Sequence, residues 1–90
     1  NSYLQKLTQG SVYPNPAQTE CTVLFSAEKQ AKYTLEIADA IGKILLRKDI
    51  NANAGDNYVK LNIGNFANGY YLISIVDEAG NRETLKLIKE

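Results

Sequence analysis

Apolar residues recur two or four positions apart along most of this chain. Six sets share the pattern: Cys21-Val23-Phe25, Tyr33-Leu35-Ile37, Ile44-Leu46-Ile50, Val59-Leu61-Ile63, Tyr71-Ile73-Ile75 and Leu85-Leu87. Successive side chains of a β-strand point to opposite faces of its sheet, so each set predicts a strand with one buried face. Thr34 and Glu36 are expected to face outward. No stretch shows the roughly 3.6-residue period of a helix, although residues 64–68 could form one short helical turn.

Two Asp-x-x-Gly segments separate pairs of these strands. They are Asp39-Ala40-Ile41-Gly42 and Asp77-Glu78-Ala79-Gly80. Aspartate at the first position of a type I turn can bond its own backbone, and glycine can take the positive φ that returns the chain to the sheet. The pattern predicts two antiparallel hairpins, strands 31–39 with 43–50 and strands 70–77 with 81–88.

The longer joins, 27–30 and 51–56, are expected to cross between sheets. With one short strand counted beyond the six apolar sets, seven strands with two hairpins and two crossings predict an all-β fold, a seven-stranded antiparallel Greek-key β-sandwich of immunoglobulin-like architecture. Residues 1–10 are polar and aperiodic and are expected to form a linker or lead-in, with residues 11–90 as the single domain.

Charge and composition narrow the function classes. The chain has 90 residues, of which 10 are basic and 10 acidic, and the basic residues are scattered, so no nucleic-acid partner is expected. No apolar run approaches the roughly 20 residues of a membrane-spanning helix. Because the chain contains no methionine, we expect it to be a piece of a longer protein, and a missing signal peptide then says nothing about export.

The side chains that usually carry catalysis are missing. There is no histidine, and no partner base accompanies the serines in a nucleophile motif. No Asp-x-Asp-x-Asp-Gly calcium loop is present. The one cysteine, Cys21, alternates with core residues and is expected to be a buried, unreactive thiol. The sequence therefore predicts no enzyme, no metal site and no cofactor.

Three segments allow both a structural and a functional interpretation. The triplet Pro14-Asn15-Pro16 is either a stiff corner before the next strand or a recognition motif. Gly69 is expected to turn the chain into a strand in which Tyr71 faces the core. Tyr70 is expected to face an outer surface that is unusually apolar. This surface is either covered by the N-terminal segment or open to a partner. Lys86 and Lys89 either protect a terminal edge strand from aggregation or belong to an exposed edge that a partner reads by strand addition.

The motifs taken together resemble one known family. They are Tyr13-Pro14-Asn15-Pro16-Ala17, Tyr33-x-Leu35-x-Ile37-x-Asp39-x-x-Gly42-Lys43, Asn68-Gly69-x-Tyr71 and the terminal Leu85-Lys86-Leu87-Ile88-Lys89. Their order and spacing are similar to those of the type A C-terminal sorting domain of type IX secretion system substrates, over residues 11–90. Two departures are Glu90, an acid after the last lysine, and Arg47-Lys48, charges in a strand that is usually more apolar.

The resemblance implies an export function in a Gram-negative cell. In that family the parent protein enters the periplasm, and the folded domain then directs it, with shuttle proteins, through an outer-membrane translocon. A surface sortase commonly removes the domain and leaves the cargo at the cell surface or secreted. The resemblance implies a cargo domain N-terminal to this chain and cleavage in or before residues 1–10. It also implies a signal formed by Gly69, Tyr71, Lys86 and Lys89, the first two acting by shaping the last hairpin that presents the lysines.

Other classes fit a small sandwich with a single cysteine. An accessory carbohydrate-binding module, a fibronectin-like adhesion module and a structural spacer are the alternatives. Carbohydrate-binding modules usually expose several aromatic residues on one face, and Tyr58 and Tyr70 are the only plausible pair on strands here. An open terminal strand also predicts some pairing of isolated copies as a homodimer through edge strands.

Overall fold

The alternating segments form seven antiparallel strands in two sheets in the computed structural model, which describes residues 10–90. The strands are β1 (Ser11–Tyr13), β2 (Glu20–Ala27), β3 (Ala31–Ala38), β4 (Ile44–Ala52), β5 (Gly55–Asn62), β6 (Gly69–Asp77) and β7 (Arg82–Lys89). One sheet has the order β1-β2-β5 and the other β4-β3-β6-β7. The predicted seven-stranded sandwich is confirmed. Most of the predicted lead-in, residues 1–9, lies outside the described residues.

Both predicted hairpins are present, and the aspartates close their turns as expected. Asp39 Oδ1 accepts hydrogen bonds from the N–H groups of Ile41 and Lys43, at 3.1 and 2.9 Å. Asp77 Oδ1 accepts the N–H of Asn81 at 2.9 Å. Gly42, the last residue of the first Asp-x-x-Gly segment, has φ of 94°, a conformation that other residues adopt only with strain. The turn chemistry therefore pairs β3 with β4 and β6 with β7, two of the three neighbouring pairs in the four-stranded sheet.

The chain crosses between the sheets three times, once more than predicted. The two expected crossings are confirmed at residues 28–30 and 53–54. The second is shorter than expected because the side chain of Asn57 accepts the Asn53 N–H at 3.0 Å and donates to the Asn53 carbonyl at 2.9 Å. The third crossing joins β5 to β6, and its bond from the Phe66 N–H to the Ile63 carbonyl at 3.0 Å closes a turn where a short helical turn was predicted.

The core lies between the two sheets. Its large, fully buried side chains are Val23, Phe25, Leu35, Ile37, Ile63, Ile73, Ile75 and Leu87, together with Cys21. Desolvation raises the pKa of the Cys21 thiol to about 11. The thiol therefore stays protonated at neutral pH, where a thiolate would be needed for nucleophilic attack.

One residue predicted to face the core does not. Ile44 is 44% exposed, whereas Leu46 packs against the core. The register between β3 and β4 shifts at this point, since Ile37 pairs with Leu46 but Ala38 pairs with Ile44. The extra residue, Leu45, interrupts the alternation as a β-bulge does. The prediction for Ile44 was therefore wrong.

Glu36 lies on the outer face of the four-stranded sheet, as predicted, but it is only 8% exposed. Its carboxylate oxygens lie 3.0 Å from Arg47 of β4 and 3.1 Å from Arg82 of β7. Burial raises the pKa of Glu36, but hydrogen bonds and charge from the two arginines lower it by more, so the net shift is downward. The ion pairs therefore stabilise the fold fully above about pH 4.5, and this contribution is lost as the pH falls through the lowered pKa.

Candidate recognition site

The terminal hairpin, β6 with β7, holds all four predicted signal residues and begins at a tyrosine corner. Tyr71 is 6% exposed, and its hydroxyl donates to the Ala67 carbonyl four residues upstream at 2.5 Å. Its ring centroid lies 5.3 Å from that of Phe66. Gly69 opens β6 with φ of 148° and pairs with Lys89. This contact of a tyrosine near the start of a strand with the preceding loop is a hallmark of immunoglobulin-like sandwiches.

Removing the Tyr71 hydroxyl is expected to loosen this corner. The Tyr71→Phe variant should lose about 1 kcal/mol of unfolding free energy, because a part-buried hydrogen bond disappears while the ring contacts remain. Urea denaturation measures the loss. Tyr70→Phe is the matched control, since Tyr70 is 46% exposed and should tolerate the change. Equal stability of the two variants would show that the corner bond does not hold the hairpin.

The two candidate lysines occupy different environments. Lys86 is exposed on the outer face of β7, with its Nζ 4.7 Å from the centroid of the Tyr70 ring, a cation–π contact. Lys89 is the last residue of β7 and is only 7% exposed, with its Nζ 3.5 Å from the Glu90 carbonyl oxygen. The expectation that the hairpin presents both lysines is therefore wrong for Lys89. Lys86 is the lysine that a partner can reach.

The outer edge of β7 is covered by the Pro14-Asn15-Pro16 triplet and Ala17. The Asn15 side chain donates to the Lys86 carbonyl at 2.9 Å and accepts the Ile88 N–H at 2.8 Å. Both bonds that precede the prolines are cis. We call residues 14–17 the clasp.

The backbone of the clasp continues the contact to the end of the chain. The Ala17 N–H donates to the Ile88 carbonyl at 2.8 Å, and the Ala17 carbonyl accepts the Glu90 N–H at 2.9 Å. Ala17 pairs with Lys89 in a parallel bridge. The predicted open edge of β7 is therefore wrong for residues 86–90, whose outward backbone groups are largely paired. The corner interpretation of the triplet misses this role.

Two carboxylates also form contacts that hold the start of β7 in place. Arg82 pairs with Glu36 of β3, and Glu83 accepts the Gly10 N–H at 2.9 Å. The terminal strand is therefore held along its length by contacts distant in sequence. In the sequence, Glu36 is an acidic residue among apolar ones, and the two arginines lie elsewhere in the chain. This pattern does not by itself show that Glu36 contacts them.

The other predicted motif residues, Asp39 and Gly42, shape the β3–β4 turn. Ala38 at the end of β3 pairs with Leu72 of β6, which places this turn at the same end of the sheet as Gly69. The structure brings these motif residues to one end of the sandwich, but they act in a separate hairpin. They support the fold around the site.

The aromatic pair considered for carbohydrate binding is split between the two sheets. Tyr58 is 64% exposed on β5, and Tyr70 is 46% exposed on β6 of the other sheet. Each tyrosine lies next to an inward-facing residue on its strand, so its own ring points outward. The two rings are therefore on opposite outer faces of the sandwich. They cannot form one flat binding platform, which removes the observation that favoured a carbohydrate-binding module.

Fold and site together define an immunoglobulin-like β-sandwich whose C-terminal strand is clasped by its own N-terminal segment. Within residues 10–90, no group of three or more His, Cys, Asp or Glu side chains could hold a metal ion. Over the same residues, no helix has the length and apolar character needed to cross a membrane.

The chain belongs to the secretion system C-terminal sorting domain family, whose model matches residues 11–90. The resemblance to the sorting domains of type IX secretion is thereby confirmed. Domains of this family direct their proteins across the outer membrane to the cell surface or into the medium.

The chain is also similar to part of a much longer protein. An endo-acting ulvan lyase from Formosa agariphila is 34% identical to it over 77 residues, which make up 86% of this chain and 14% of the lyase. The match therefore covers a small part of that enzyme's length.

Proposed function

We propose that this chain is the sorting address of a cargo protein that lies N-terminal to it, and that the type IX machinery reads the address at the terminal hairpin. The family match over residues 11–90 carries the proposal. In this account the domain itself is non-catalytic. Its chemistry agrees, because the sequence has no histidine and its one cysteine is buried with a raised pKa.

The local geometry favours a signal centred on Lys86. This side chain is exposed and held over Tyr70, so it presents a positive charge in a defined position. Gly69 and Tyr71 act indirectly, since they set the path by which the chain enters β6. Lys89 contributes from a buried position at the end of β7 and is a weaker candidate for direct contact.

The partners follow from this role. The folded domain waits in the periplasm, engages the shuttle proteins and the outer-membrane translocon, and carries its cargo to the surface. A surface sortase then cuts in or before residues 1–10, which serve as the lead-in to the domain of residues 11–90. This cut separates the cargo from the address.

A reporter fusion tests the proposal. Residues 1–90 are attached behind a periplasmically exported reporter in a Gram-negative cell with type IX machinery, and surface reporter is quantified with and without the translocon. Surface appearance that needs the translocon supports the address, and the mass of the released reporter locates the cut. A folded reporter that stays in the periplasm of both strains would overturn the proposal and leave a binding or spacer module.

A further inference from the structure

The clasp occupies the same backbone groups that a partner strand would need. A strand that adds to a sheet edge bonds to alternating outward N–H and C=O groups. At the end of β7 these groups are the Lys86 carbonyl, both groups of Ile88 and the Glu90 N–H. Asn15 and Ala17 bond to all four. The clasp is therefore an internal occupant of this edge, and Ala17 shows that backbone running parallel to β7 can bond there.

Most of the clasp lies on the surface of the protein, and one of its residues is buried. Pro14, Asn15 and Pro16 are exposed, whereas Ala17 is fully buried. Releasing Asn15 frees the Lys86 carbonyl and the Ile88 N–H, and releasing the other two groups also takes the small Ala17 side chain out of the core. A segment with this distribution of contacts can leave the edge while the sandwich stays folded.

We propose that the clasp is a gate on the secretion signal. The outer edge of β7 at residues 86–90 is a strand-acceptor site, filled by the clasp until an extended strand of a protein of the secretion machinery displaces it. The proposal rests on the proposed function, because it takes β7 as the part that the machinery reads. Before that step the closed clasp also shields the edge from pairing with other chains.

The clasp and a partner strand would compete for the same edge of β7, and this competition determines whether weakening the clasp raises or lowers binding of the partner. A partner that binds only the open edge has an apparent affinity reduced by the fraction of molecules that are closed. Weakening the clasp should therefore increase capture, whereas a partner that recognises the closed clasp would be captured less well. Asn15→Ala removes both side-chain bonds to β7. Asn65→Ala is the matched control, an exposed asparagine in the turn between β5 and β6.

Amide hydrogen exchange of residues 1–90 tests whether Asn15 holds the gate. Asn15→Ala deletes the acceptor of the Ile88 N–H itself, so the Glu90 amide, which bonds to Ala17, is the one that reports opening of the whole clasp. Exchange at Glu90 should be faster by about tenfold or more, while the Ile73 amide in β6 and all amides of Asn65→Ala match the unchanged chain. Unchanged exchange at Glu90 would overturn the gate. A doubled molecular mass with both amides again protected would assign the edge to a second copy, which also overturns the proposal.

The reporter fusion then tests capture. Translocon-dependent surface reporter should appear at least about twice as fast for Asn15→Ala as for the unchanged chain and for Asn65→Ala. An unchanged or slower rate, with the variant folded in the periplasm, would overturn the gate while leaving the sorting address intact. If the unchanged chain itself is not sorted, the proposed function fails, and the exchange result still reports on the clasp.

Discussion

Replacing Leu87 with alanine is expected to lower the free energy of unfolding by about 2–5 kcal/mol, as for other leucines removed from well-packed cores. Leu87 is fully buried, and it pairs across the terminal hairpin with Tyr71. A domain of this size has a total stability on the order of 5–10 kcal/mol, so the variant should lie near its unfolding threshold. Urea denaturation followed by circular dichroism measures the change.

Thr84→Ala is the control for this prediction, because Thr84 is exposed on the same strand. It should change the stability by less than about 1 kcal/mol. Equal losses in the two variants would mean that β7 is not part of the core. The prediction also bears on truncation: deleting residues 86–90 removes Leu87, so a truncated domain that fails to be sorted has lost its fold as well as its signal.

Reversing the charge at Glu36 is expected to have the second largest effect. Glu36→Lys would place a cation at a site that is 8% exposed, beside Arg47 and Arg82. Removing one partner of a buried ion pair costs about 3–5 kcal/mol. The arginine side chains are 60% and 51% exposed and can turn to water, so we expect a loss of roughly 2–4 kcal/mol.

Glu36→Gln separates the effect of charge from that of shape. It keeps the size of the side chain and should lose roughly 1–2 kcal/mol, since an amide has one oxygen where the carboxylate has two that accept from Arg47 and Arg82, and that oxygen carries no negative charge. Thermal unfolding of both variants at neutral pH measures the difference. If the lysine variant is no less stable than the glutamine variant, the ion pairs do not join β3 to β4 and β7.

The sequence predicts those parts of the fold that depend on near neighbours. Alternation of apolar residues predicts the strands, and Asp39 with Gly42 predicts a hairpin, because a turn is fixed by a few consecutive residues. The register shift at Leu45 could not be predicted in this way. Its sequence, Ile44-Leu45-Leu46, is apolar throughout and does not indicate which side chain is displaced to the surface.

The candidate site depends on contacts that a single sequence does not show. Asn15 bonds to Lys86 and Ile88, which lie 71 and 73 residues away. The two prolines of the triplet predict a stiff backbone, but stiffness does not specify which strand the triplet contacts. The family resemblance implied that the terminal hairpin presents Lys89 together with Lys86. Lys89 is buried because it shares the inward-facing parity of Leu87 on β7.

The most direct test of a sorting signal on the terminal hairpin compares two lysines in the reporter fusion. Lys86→Glu reverses the exposed charge on the terminal hairpin, and Lys60→Glu makes the same change at an exposed position on β5 of the other sheet. Both variants should fold. A signal centred on Lys86 predicts that Lys86→Glu leaves the reporter in the periplasm, whereas Lys60→Glu reaches the surface like the unchanged chain. Equal surface appearance of the two variants would contradict a signal on the terminal hairpin.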